Sequence, residues 1–128
     1  TMSTSFKKRI LLVEDDPTHA FIIRKFIGQE FHLDHANNGQ TAIELLMQQP
    51  YALILMDIDL GQNNLTGTEV LQKIRDKQEF RNIQAIATTA FDSPDARERL
   101  LSGGFNLHMA KPITKQVLLD GITALLGM

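Results

Sequence analysis

Glu14, Asp15 and Asp16 follow a short apolar run, Arg9–Val13, and a second run, Tyr51–Met56, ends in Asp57 with Asp59 two residues on. Farther along, Thr88-Thr89-Ala90 closes a third run, and Ala110-Lys111-Pro112 a fourth. Ending a buried strand in Asp57 gains nothing for packing. Carboxylates gathered at one edge repel, two charges about 4 Å apart costing ~4 kcal/mol at a surface-like dielectric. Such a site expects a cation, and an all-oxygen ligand set favours Mg²⁺, which keeps several waters. A divalent ion, a hydroxyl and a lysine around one aspartate suit phosphoryl transfer to that aspartate. The ion and Lys111 neutralise the phosphoryl oxygens, a threonine hydroxyl donates a hydrogen bond, and Asp57 attacks in line. The acyl phosphate formed is labile, so the same site can discharge it to water.

These residues converge only if the runs are neighbouring strands. Tyr51–Asp57, bounded by Pro50 and the loop residues 60–67, reads as a central strand buried on both faces. Arg9–Val13, Phe31–Ala36, Ile83–Thr88 and Phe105–Met109 read as the other strands. Helices are expected from Pro17 (capped by Asp16) to near Gly28, over Gln40–Gln49, and over Thr68–Lys77. Two more run from Ser93-Pro94 to Gly103-Gly104 and from Thr114 to about Leu126. Strict β/α alternation implies a parallel sheet with right-handed crossovers and helices on both faces. The expected architecture is a flavodoxin-like, doubly wound (βα)5 three-layer sandwich with strand order 2-1-3-4-5. In that order the carboxyl ends gather Glu14, Asp15, Asp16, Asp57, Asp59, Thr88, Thr89 and Lys111.

The totals bound the alternatives. At 128 residues, 43% of them hydrophobic and 22% charged, the chain is one globular domain. A net charge of −2 implies no basic face and argues against nucleic acid. With no cysteine, neither a disulfide framework nor a thiolate metal site can form. No apolar run approaches the roughly 20 residues of a membrane span, so no membrane contact is expected and the cytoplasm is the default compartment. Residues 1–8 are expected to be a disordered lead-in or expression remnant, and 9–128 the domain.

The chain resembles the receiver domain of two-component response regulators, a chemotaxis-regulator-like fold. The resemblance spans Arg9 to Leu126 and rests on Ile-Leu-Leu-Val-Glu14-Asp15-Asp16-Pro17, Leu-Ile-Leu-Met-Asp57, Ala-Thr-Thr89-Ala90 and Ala-Lys111-Pro112, in order at the strand ends. It implies that Asp57 accepts a phosphoryl group from a histidine kinase or histidine phosphotransfer protein. Asp15 would bind Mg²⁺ directly, Glu14 through water, and Asp59 through its backbone carbonyl. Thr89 would be the switch hydroxyl, and Lys111 would pair with the phosphoryl oxygens beside a cis peptide to Pro112. The family's aromatic switch position is His108 here, a histidine common in receivers attached to hybrid histidine kinases. The loop after Asp57 is longer than the family's usual turn. The domain would catalyse only its own phosphorylation and dephosphorylation. Its expected output face is helix 4, strand 5 and helix 5, and its expected state a monomer or weak phosphorylation-dependent dimer. Ending soon after helix 5, it reads as a stand-alone receiver or a piece of a hybrid kinase or longer regulator.

Competing functions remain at this point. Asp57-Ile-Asp59 is similar to the Asp-x-Asp motif of Mg²⁺-dependent aspartate-nucleophile phosphohydrolases, though those carry it on their first strand. The Toprim-type nucleic-acid enzymes also pair a strand-end glutamate with Asp-x-Asp, but they leave Thr89 and Lys111-Pro112 unexplained. A degenerate receiver that only binds would not need Asp57, Thr89 and Lys111 intact. His19, His32 and His35 read as surface or structural residues, because 32 and 35 fall on opposite strand faces.

Overall fold

The structure is a computed structural model, and it describes residues 7–61 and 65–128. Five strands, β1 (Arg9–Val13), β2 (His32–Ala36), β3 (Leu53–Asp57), β4 (Gln84–Thr89) and β5 (Leu107–Ala110), alternate with five helices. The helices are α1 (Pro17–Ile27), α2 (Gly39–Gln48), α3 (Gly67–Arg75), α4 (Pro94–Ser102) and α5 (Lys115–Leu126), and a 3₁₀ turn over Gln78–Phe80 follows α3. The strands pair in parallel in the order β2-β1-β3-β4-β5. The doubly wound sandwich expected from the alternation is therefore the observed fold.

Period-two side-chain alternation sorts each strand between two cores. Leu11, Val13, Ile54, Met56, Ala85 and Ala87 pack against Leu46 of α2, Val70, Leu71 and Ile74 of α3, and Leu100 of α4. Ile10, Leu12, Leu53, Leu55, Ile86 and Met109 pack against Ile23 and Ile27 of α1 and Leu118 and Ile122 of α5. Every residue of β3 is buried, as a central strand covered on both faces requires. Glu14, Asp57 and Lys111 continue the alternating set that faces α1 and α5, just past or at the ends of their strands. That shared parity puts all three on one side of the sheet's carboxyl edge.

Side-chain caps fix where the helices start. Asp16, Ser93 and Thr114 accept the N–H of Thr18, Ala96 and Val117 respectively, as the cap-then-helix pattern predicts. Asn38 caps α2, so that helix begins at Gly39, one residue before the expected Gln40. Helix α3 begins at Gly67, inside the expected loop, because Thr66 and Glu69 form a reciprocal capping box. It ends at Arg75 and not Lys77, where the chain turns into the 3₁₀ segment. Strand β5 starts later than expected because Asn106 turns its side chain to accept the N–H of Ala85 at 2.8 Å. The loop after Asp57 falls partly outside the described residues, at 62–64, as does most of the lead-in, at 1–6.

Candidate functional site

A cleft of about 250 Å³ opens at the carboxyl edge, lined by Glu14, Asp15 and Asp16 after β1 and by Asp57 and Asp59 at the end of β3. Thr89, Ala90 and Phe91 at the end of β4 and Lys111 after β5 complete its wall. Residues from four strand ends, spread over nearly a hundred positions of sequence, thus meet as the sheet order requires. Asp57 and Glu14 are buried, at 2% and 1% exposure, while Asp15 stands exposed at the rim. Oxygens of Glu14, Asp15 and Asp57 lie within 4.8 Å of one another.

Lys111 Nζ donates to Asp57 Oδ1 at 3.1 Å and lies 3.8 Å from Glu14 Oε1. Its backbone N–H is fixed by Thr89 O at 2.7 Å, and the Lys111–Pro112 bond is cis. Asp57 Oδ1 also accepts the N–H of Asp59 at 3.2 Å, and the Asp59 side chain is exposed. Burial, then the hydrogen bond and negative charge of Glu14, push the Asp57 carboxyl up to about 7, against the pull of Lys111. Burial would raise Glu14 as well. Its bonds to His19, Asp57 and the N–H of Asp16, with the charge of Lys111, bring it down to about 2 instead. One proton shared unequally between two close carboxylates is the expected state of such a pair with no metal ion beside it.

Thr88 lies directly across from Asp57 in the β3–β4 register, and Thr89 sits one position farther out, toward the rim. Thr89 Oγ1 accepts the N–H of Phe91 at 3.1 Å, and His108 Nε2 meets the Phe91 carbonyl at 3.3 Å. The carbonyl can only accept, so His108 carries the proton on Nε2. Thr89 and His108 are thus linked through the backbone of Phe91, whose ring is 71% exposed.

Two histidines read from sequence as bystanders touch the site. His19 Nδ1 contacts Glu14 Oε1, and His35 Nε2 lies 2.7 Å from the Glu14 backbone carbonyl. His32 is exposed and stays apart, 3.7 Å from Asp34. A usable sign existed for His19: it is the third residue of α1, the position whose side chain reaches back over the helix start.

The fold and this acidic cleft define a receiver-type signalling domain, and comparison with known proteins agrees. The family profile for the response regulator receiver domain matches residues 10–123. The chain is similar to the polar-differentiation response regulator DivK of Brucella anthropi, 32% identical over 121 residues, covering 94% of this chain and 97% of that one. Among solved structures it is similar to the receiver domain of the sensor histidine kinase PA1611 from Pseudomonas aeruginosa PAO1, which has a magnesium ion coordinated in its active-site cleft. That match has a TM-score of 0.85 and 28% identity, covering 96% of this chain and 100% of the other. The signal receiver domain of a signal transduction histidine kinase from Syntrophus aciditrophicus matches with a TM-score of 0.82 and 26% identity, over 94% and 90% of the two chains. The chain belongs to the response regulator receiver domain family of two-component signalling. Among the described residues, no helix is long and apolar enough to cross a membrane.

Proposed function

We propose that Asp57 is the phosphoacceptor of this receiver, taking a phosphoryl group from a histidine kinase or histidine phosphotransfer protein. The observation that carries this reading is the pairing of Lys111 Nζ with Asp57 Oδ1 across 54 positions of sequence, inside a cleft that five acids line. A lysine–aspartate pair with its acid buried and its lysine half-covered is costly to build for stability alone, since desolvation offsets much of the attraction.

The three clustered carboxylates suit a hard divalent cation: all donors are oxygen, one acid is exposed, and the pair behind it retains a proton while uncompensated. Asp15, Asp57 and the backbone carbonyl of Asp59 would hold Mg²⁺, with Glu14 acting through water. When bound, the ion supplies positive charge for the phosphoryl oxygens. A carboxylate oxygen of Asp57 attacks phosphorus in line. The P–N bond of the phosphohistidine breaks, and its electron pair returns to the imidazole nitrogen. Lys111 neutralises a phosphoryl oxygen, and the Thr89 hydroxyl donates to another. Attack by water later releases phosphate and restores Asp57. Thr89, shifting toward the phosphoryl group, would pull on the Phe91 link to His108 and so alter the face formed by α4, β5 and α5, where a downstream protein would dock.

Incubation with Mg²⁺ and phosphoramidate should give a base-labile mass gain of one phosphoryl group, absent in Asp57→Asn. An unphosphorylated chain, or an adduct that survives this substitution, would refute the reading. Steady turnover of unrelated phosphate esters would favour a phosphohydrolase built on Asp57 and Asp59.

A further inference from the structure

The buried carboxylate of Glu14 is held on both of its oxygens. Its Oε2 accepts the N–H of Asp16 at 3.2 Å, and its Oε1 is met by Nδ1 of His19. The ring of His19 is itself mostly covered, at 17% side-chain exposure. Behind it, the Glu14 backbone is pinned on both sides: its N–H donates to Ala36 O at 3.0 Å and its carbonyl faces His35 Nε2 at 2.7 Å. An ionised carboxylate can only accept, so His19 contributes Nδ1–H.

That same Oε1 is also the atom of Glu14 nearest to Lys111, at 3.8 Å, while Asp57 Oδ1 holds the ammonium at 3.1 Å. Lys111 therefore stands between two buried acids less than an ångström apart in its preference. Among the described residues, His19 and Lys111 are the basic side chains within 4 Å of this oxygen. A desolvated carboxylate stripped of one donor recruits the next one in reach.

We propose that His19 is a positioning residue that occupies Glu14 Oε1 and thereby reserves Lys111 for Asp57 and its phosphoryl group. The proposal rests on the reading of Asp57 as phosphoacceptor, but its geometric half can be tested without it. In His19→Ala, Lys111 Nζ moves within hydrogen-bond distance of Glu14 Oε1 and leaves Asp57, and phosphorylation by phosphoramidate at saturating Mg²⁺ slows at least about tenfold. The amide nitrogen of asparagine sits about as far from Cβ as Nδ1 does, whereas that of glutamine reaches farther, like Nε2. His19→Asn should therefore restore the rate, and His19→Gln should not.

The experiment pairs these rates with metal-free crystal structures of the unaltered chain and the three variants. Lys111 on Glu14 in His19→Ala, with rescue by Asn alone, supports the proposal. Lys111 still on Asp57, an unchanged rate in His19→Ala, or equal rescue by Gln overturns it. If His19→Ala does not fold, the Asn and Gln variants decide. If the unaltered chain takes no phosphoryl group, the phosphoacceptor reading fails, and the position of Lys111 in the crystals still decides what His19 does.

Discussion

At the scale of single residues, the site sets three clustered carboxylates against the ammonium of Lys111. Asp57, raised to about 7 by burial and by Glu14, binds a proton more tightly in the folded chain than in the unfolded one. Its contribution to stability is therefore present at low pH and lost as pH rises through about 7. Glu14, lowered to about 2, contributes in the opposite sense: fully above its ordinary 4.5, and lost as pH falls toward 2. Metal-free thermal melts should thus show stability climbing as pH drops from about 7 to about 4.5, then falling in stronger acid. Saturating Mg²⁺ should flatten the upper limb, because the cation stabilises the ionised pair. Asp57→Asn should remove that limb and leave the metal-free protein ~2 kcal/mol more stable at neutral pH, read by urea unfolding. A limb that persists in Asp57→Asn would place the titrating proton elsewhere. The residue types at the strand ends were legible in the sequence, because an acid or a lysine closing an apolar run has no packing purpose. The Glu14–His19 contact leaves no periodic trace, since it joins a strand end to the first turn of a helix; only the place of His19 as third residue of α1 hints at it.

At the scale of elements, α3 approaches the end of β3 closely at Gly67. The N–H of Gly67 donates to Ile58 O at 3.0 Å, and a Cβ at Gly67 would lie 2.5 Å from Asp57 O and 2.9 Å from Ile58 Cα. Both are backbone atoms and cannot swing aside. Gly67→Ala should cost about 1–3 kcal/mol in urea unfolding. It should also slow phosphorylation, because the strain falls on the segment carrying Asp57. A fully stable Gly67→Ala protein would mean the helix can pivot away freely. The order and type of all ten regular elements followed from apolar periodicity and Pro/Gly punctuation. The start of α3 did not: Leu-Gly-Gln-Asn-Asn-Leu-Thr-Gly has loop composition throughout, and only the Thr66–Glu69 pair marks the turn into helix. Element ends shift by a residue or two for similar local reasons, as with Asn106 before β5.

At the scale of the whole molecule, the sheet keeps its chemistry at one edge and a separate lock elsewhere. Asp34 of β2 accepts Tyr51 Oη–H at 2.7 Å, Arg9 Nη1–H at 2.9 Å and Gln49 Nε2–H at 3.1 Å, joining the segment before β3 to β1 and β2. Burial works against Asp34, but the bonds from Tyr51 and Arg9 hold its carboxyl below the ordinary range. Burial, then the Asp34 bond, push the Tyr51 phenol up to about 12. The lock therefore contributes stability that is lost in acid as pH falls below about 4, and in alkali as pH rises through about 12. Tyr51→Phe should cost ~1 kcal/mol and leave the phosphorylation rate unchanged, as measured by chemical denaturation and phosphoramidate labelling. A slowed rate would show that the lock and the cleft are coupled. Tyr51 is also the chain's one tyrosine, in a sequence without tryptophan or cysteine. Its intrinsic ultraviolet emission arises roughly 20 Å along β3 from Asp57, so it reports the integrity of the sheet's amino edge. A single thiol placed beside the cleft would take a dye at one position. Unfolding and switching could then be recorded in two colours on the same molecule.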